Sequence, residues 1–208
     1  MKRLTFILAG LALSLAGAAL AQQKKTTAVD PALVEKAVER SWATAAPEWK
    51  ARLAQDETQR QCSQYRNSPP KAVAEAILAR EKASIAYPDD GKLMGDWKKG
   101  EKLAESGYGG RFTDIPPKQA NGGNCYACHQ LAKAQVSYGT LGPSLLEYGK
   151  IRKFADADVK AVYERIYNPH AAIACANMPR LGASKFLSIE QIRDLVAYVM
   201  SPESPVNK

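Results

Sequence analysis

Apolar residues recur at helical spacing along most of this chain, and the interruptions fall at residues that cap or break helices. In "DADVKAVYERIYNP", Val159, Val162, Tyr163 and Ile166 follow the i, i+3, i+4, i+7 pattern of a helix buried on one face, opening at Asp156 and closing at Pro169. "SIEQIRDLVAYVMSP" repeats the pattern with Ile192, Leu195, Val196 and Val199; Ser188 and Gln191 form a capping box, and Pro202 is the stop. "GDWKKGEKLAESG" offers Asp96 as N-cap and Gly107 as terminator, and "YGTLGPSLLEYG" reads as a turn followed by a short helix. Upstream, Asp30 and Pro31 open "DPALVEKAVERSW", Pro47 opens "PEWKARLAQDETQRQCSQYRN", and Ser68 with Pro69 opens "SPPKAVAEAILAREKASI". No segment alternates with the period of a half-buried strand, so the fold class is all-α.

The two halves differ in how much they can bury. Leu33, Val34, Ala37 and Val38, and then Val73, Ile77 and Leu78, make one-sided helices too sparse for a core of their own. Residues 22–94 are therefore a helical extension expected to pack on the domain of residues 95–208 or on a partner. Residues 1–21 form a third segment: Lys2 and Arg3, an apolar run from Leu4 to Leu20, and small residues at Ala19 and Ala21 make a secretory signal peptide cleaved after Ala21. The chain is thus expected in the periplasm, with no membrane span in the mature protein.

Charge changes the picture little. The formal net charge is +8, but clusters such as "DWKKGEK" and "YGKIRK" are short and separated by acids. That pattern fits solvated faces and argues against a nucleic-acid stripe.

The candidate chemistry lies in "NGGNCYACHQLAKAQ". Cys125, Cys128 and His129 make C-x-x-C-H, the attachment signature of a c-type haem: each thiol adds to a vinyl group, and the adjacent imidazole becomes an iron ligand. Zinc would require two more ligands at suitable spacing, whereas His170 and the other cysteines are scattered. A thioredoxin-like pair would follow a strand in a βαβ context, whereas this motif follows a Pro/Gly-rich loop. One covalently bound haem c is the expected cofactor.

Met94, His170, Met178 and Met200 are the candidates for the second axial ligand. Met200 falls on the apolar stripe of the last helix, and Met94 precedes the helix near Asp96, settings that suit packing. Met178, in the irregular loop "ACANMPRLG", is preferred; His170, just past the helix-ending proline, is second and otherwise a surface or loop histidine. Arg152 and Arg180 are possible partners of the haem propionates or else solvated.

The order of helix, CxxCH, Gly-Pro turn, helix, Met loop and terminal helix from Gly95 onward resembles class I cytochrome c. The resemblance implies a close crossing of the first and last helices at Gly100 and Tyr198. It also implies that the Pro143 carbonyl accepts the ring N–H of His129. Cys62 and Cys175 are then left over, an even pair in an oxidising compartment. A disulfide between them is expected, the alternatives being a free reactive thiol or a bridge to another subunit.

"GNCYACHQL", "GTLGPSLLEYGKIR", "RIYNPHAAIACANMPRLG" and "LSIEQIRDLVAYVMSPESPVNK" are similar to the SoxX family, the small cytochrome subunits of periplasmic SoxAX complexes in sulfur oxidation. The M-P-x-x-G loop and the ending "SPESPVN" are the most discriminating pieces, and the long extension departs from shorter members. The resemblance implies oxidative coupling of thiosulfate to a cysteine on a sulfur-carrier protein, with the substrate chemistry in a SoxA-type cytochrome subunit. This chain would contribute no catalytic residue; it would accept electrons at its haem and pass them to an acceptor cytochrome. The alternative is a free-standing periplasmic electron shuttle.

Overall fold

The computed structural model describes residues 30–114 and 119–208. The signal peptide expected over residues 1–21 lies outside the described residues. The chain divides into two compact units, Met1–Ala45 and Ala46–Lys208. Among the described residues every regular element is helical, and no helix is long and apolar enough to cross a membrane.

Within the first unit, α1 (Pro31–Ser41) begins where the Asp30 carboxylate accepts the Ala32 N–H at 3.0 Å, with proline at the first helical position. Leu33 and Val34 are exposed on it.

The second unit begins with α2 (Pro47–Leu53), α3 (Glu57–Gln64) and α4 (Lys71–Ala83). The stretch opened by Pro47 is two helices because Asp56 starts a second one. Its carboxylate accepts the Gln59 N–H at 2.8 Å while the Gln59 side chain accepts the Asp56 N–H at 2.9 Å, a reciprocal capping box. Ser68 and Pro69 do not open α4; it starts after Pro70, with no side-chain cap.

The frame of the site is α5 (Trp97–Glu105), α6 (Tyr148–Ile151), α7 (Asp156–Tyr167) and α8 (Ile189–Met200). Asp96 caps α5 through the Lys98 N–H at 2.8 Å, and Ser188 with Gln191 closes a capping box on α8. The α5 and α8 backbones nearly touch: a β-carbon on Gly100 would lie 2.0 Å from the Asp194 carbonyl oxygen and 2.8 Å from Cβ of Tyr198. Only glycine allows that approach, and the buried Tyr198 ring fills the groove beside it. Ile192, Leu195, Val196 and Val199 of α8 pack with Val159, Val162, Tyr163 and Ile166 of α7 and with Leu131 in one apolar core.

The ending "SPESPVN" folds back as the C-terminal closure of α8. The buried Ser204 hydroxyl donates to the Tyr198 carbonyl, and the Asn207 amide donates to the carbonyls of Val199 at 3.0 Å and Ser201 at 2.8 Å. These bonds satisfy carbonyls that a helix end otherwise leaves without partners. Asn207 Oδ1 also accepts the Lys150 N–H at 3.1 Å, which joins the tail to α6.

Candidate haem-binding site

The CxxCH stretch is strapped to the C-terminal end of α5 by backbone bonds. Gly122, Gly123 and Asn124 donate to the carbonyls of Tyr108, Leu103 and Ser106 at 2.9, 2.8 and 3.0 Å. Gly122 sits so close that a β-carbon would fall 2.1 Å from the Ser106 carbonyl oxygen. Asn124 turns the chain through a left-handed conformation, φ 49°, and Cys125–Ala127 then form a single 3-10 turn. Cys128 and His129 both donate to the Cys125 carbonyl, at 3.1 and 2.9 Å. The winding thus brings both cysteines and the histidine together on one short turn.

His129 is held from its far side. Nδ1 lies 2.7 Å from the Pro143 carbonyl oxygen. A carbonyl only accepts, so Nδ1 carries the ring proton and Nε2 keeps its lone pair for a metal. The Gly142 N–H donates to the Cys128 carbonyl at 2.8 Å, and a β-carbon on Gly142 would lie 2.2 Å from Cε1 of the imidazole. Gly139 is equally confined, its notional β-carbon 1.8 Å from the Ala127 carbonyl oxygen. The Gly-Pro turn is therefore a cradle cut to the imidazole.

Cys125 and Cys128 are free thiols. Burial pushes the Cys125 thiol up to about 12, with Cys128 adding to the shift, so as a free group it stays protonated and uncharged. Cys125 and Met178 both pack against the core that contains Leu131 and the buried faces of α7 and α8, as does Leu145. Two free thiols and an imidazole on one short turn, with Cys125 and the Met178 thioether bordering the same apolar core, fit a covalently attached haem c. Cys125 and Cys128 would hold it by thioether bonds.

The other cysteines are joined. Cys62 of α3 and Cys175 form a disulfide with a Cα–Cα distance of 5.4 Å. It lies in a small second apolar cluster with Ile77 of α4, against which Val73 and Ala174 pack.

The segment carrying Met178 follows α7 and is irregular. It starts at the buried Asn168 and makes a 3-10 turn over Pro169–Ala171. His170 is buried rather than on the surface: Nε2 lies 2.9 Å from the Ala176 carbonyl, and Nδ1 has no partner among the described residues. Burial holds the His170 imidazole below the ordinary histidine range. Met94 is half-buried against the main core, and Met200 lies inside it.

Arg152 and Arg180 are paired within the protein. Arg152 Nε lies 3.1 Å from Asp158, with the guanidinium over the Tyr148 ring. Arg180 pairs with Asp56 and reaches Glu81 at 3.4 Å. The Glu81 side chain is 7 % exposed, and it also accepts from the Thr58 hydroxyl and from the Asn168 amide at 2.7 Å. Burial alone would raise its carboxyl, but hydrogen bonds from Thr58 and Asn168 and the Arg180 guanidinium outweigh it and hold the group below the ordinary range.

Sequence reasoning did not find Glu81, Thr58 or Asn168. The available signal was positional: Glu81 follows Val73 and Ile77 at i+4 steps, which places an acid on the apolar face of α4.

The sequence profile of the family described as Cytochrome c matches residues 118–202. A protein of Aquifex aeolicus (strain VF5) described as an uncharacterized lipoprotein is 42% identical over 160 residues, which cover 76% of this chain and 76% of that one.

Proposed function

This chain belongs to the cytochrome c family, whose domain implies a haem c and an electron-transfer role, and from that premise we propose that it is the electron-accepting subunit of a periplasmic SoxAX-type complex. Haem c, once bound, supplies reversible one-electron storage. Cys125 and Cys128 would attach it. His129 would offer the iron its Nε2, with the Pro143 carbonyl 2.7 Å from Nδ1 fixing the ring orientation, and Met178 would offer its thioether. A His/Met pair raises the reduction potential, which suits an acceptor for electrons released by a thiol oxidation.

The reaction served joins thiosulfate to a carrier-protein cysteine. A sulfur–sulfur bond forms, the thiol proton is released, and two electrons leave through the SoxA-type partner to this chain and on to an acceptor cytochrome. No residue of this chain acts as acid, base or nucleophile in that step. Its role is to bind the haem, keep the apolar core around it dry and set its potential.

The observation that carries the reading is the pair of segments most like SoxX. The M-P-x-x-G loop and the "SPESPVN" tail are both fixed in place, the loop through Arg180 and the tail through Ser204 and Asn207. The test is a pull-down of tagged protein from its native periplasm, with haem staining and an assay of thiosulfate-dependent electron release. Recovery of a second haem polypeptide with that activity is the expected result. A single haem polypeptide, inert to thiosulfate but exchanging electrons with other cytochromes, replaces this reading with that of a general electron shuttle.

A further inference from the structure

Two helices of the extension spend their buried surface on one loop. Thr58 and Cys62 are the buried residues of α3, Ile77 and Glu81 those of α4. At i, i+4 spacing each pair lies on one helix face. All four converge on the segment from Asn168 to Arg180. Cys62 is bonded to Cys175, Ile77 packs against that disulfide, and Thr58 donates to Glu81. Glu81 in turn receives Asn168 at 2.7 Å and Arg180 at 3.4 Å.

Met178 lies between the second and third of these tethers. Asn168 holds the entrance of the loop, where its amide also donates to the Ser84 hydroxyl at 3.0 Å, and its own Oδ1 accepts the His170 N–H at 3.2 Å. Cys175 holds the middle. Arg180 holds the exit, pairing with Asp56 at the N-cap of α3 as well as with Glu81. A single carboxylate thus bridges the two ends of the ligand loop.

We propose that Glu81 is the positioning residue for the distal haem ligand, fixing the loop through Asn168 and Arg180 so that the Met178 thioether is held at the iron. The proposal rests on the reading of Met178 as that ligand. The thioether is a soft, uncharged ligand on a side chain with three rotatable bonds, so its hold on the iron depends on how little freedom its backbone has. A buried carboxylate receiving three hydrogen bonds, one from a guanidinium, is strong enough to restrict the loop. It is also expensive to disturb, because an amide in its place keeps one acceptor oxygen but loses the charge that pairs with Arg180 and the second acceptor that serves Thr58.

The experiment compares holoproteins carrying Glu81→Gln, Asp56→Asn and Met178→Ala by ferric absorption, reduction potential and amide exchange at Ala176 and Gly182. Glu81→Gln is expected to keep the haem attached, lower the potential and increase by about tenfold or more the fraction lacking the iron–thioether charge-transfer band, matching the strength of a charge-assisted hydrogen bond. Asp56→Asn, at the exposed edge of the network, should shift the same readouts in the same direction by less and remains informative if Glu81→Gln does not fold. Met178→Ala should abolish the band. If Met178→Ala loses the band while both carboxylate variants keep the wild-type band, potential and exchange, Glu81 is not a positioning residue. If Met178→Ala leaves band and potential unchanged, Met178 is not the ligand and the proposal falls with that reading.

Discussion

The imidazole of His129 is placed by an atom that Gly142 lacks. With Gly142 bonded to the Cys128 carbonyl and the ring bonded to the Pro143 carbonyl, neither partner has room to retreat from a β-carbon 2.2 Å from the ring. Gly142→Ala is therefore expected to destabilise the protein by about 1–3 kcal/mol, the usual cost of overpacking, and to break the Nδ1 bond. Thermal melting together with the reduction potential checks this; wild-type values for both would show that the cradle yields. The titrating residues in and around the segment from Asn168 to Arg180 make a second prediction. The folded His170 lies below the ordinary 6.5 because it is buried, so the folded state refuses a proton that the unfolded chain accepts. Its contribution to stability is complete above about pH 6.5 and erodes as pH falls below it. Glu81, depressed below 4.5, and Asp56, depressed below 3.8 because bonds from the Gln59 N–H and Arg180 outweigh burial, contribute fully above those values and lose their contribution as pH falls through the folded ones. Urea midpoints should thus fall in two stages on acidification, and His170→Gln should remove the first stage alone. A midpoint flat from neutrality down to about pH 5 in the wild type would contradict this.

Helices show which parts of the fold a sequence can carry. The caps at Asp96 and Ser188 and the stripe on α7 are local, determined by residues within a turn or two, and were legible. The CxxCH motif was legible for the same reason: a single 3-10 turn brings all three groups together. The break at Asp56 was written in an Asp-x-x-Gln capping box but concealed within a long polar stretch. Glu81 and Asn168 were not legible, since their partners lie far along the chain and a buried acid looks like a solvated one until its neighbours are known. The α5/α8 crossing lies between these cases, implied by a family resemblance and set by Gly100. Gly100→Ala would drive a methyl to 2.6 Å from the Asp194 carbonyl carbon, backbone that cannot swing aside. We expect a loss of about 1–3 kcal/mol or more in a denaturant titration and faster unfolding; a change under about 0.5 kcal/mol would mean that the helices slide apart freely.

On the scale of the whole molecule, the Cys62–Cys175 bridge joins residues separated by 113 positions, and the loop it closes contains the CxxCH turn. Cross-links that span long loops remove the most conformational freedom from the unfolded chain, about 4–5 kcal/mol in the chain-entropy account. The same bond tethers the extension to the loop carrying Met178, so its removal should act on stability and on the site together. Cys62→Ser with Cys175→Ser is expected to lower the denaturant midpoint and, through the freed loop, the potential. Dithiothreitol acting on the wild-type holoprotein should reproduce both effects, since the haem thioethers proposed at Cys125 and Cys128 would not be reduced by thiols. Midpoint and potential therefore separate two roles for the extension. A fall in both makes its third and fourth helices, α3 and α4, part of the proposed haem site. A fall in the midpoint with an unchanged potential confines the bridge to holding the chain together and leaves the setting of Met178 to Asn168 and Arg180.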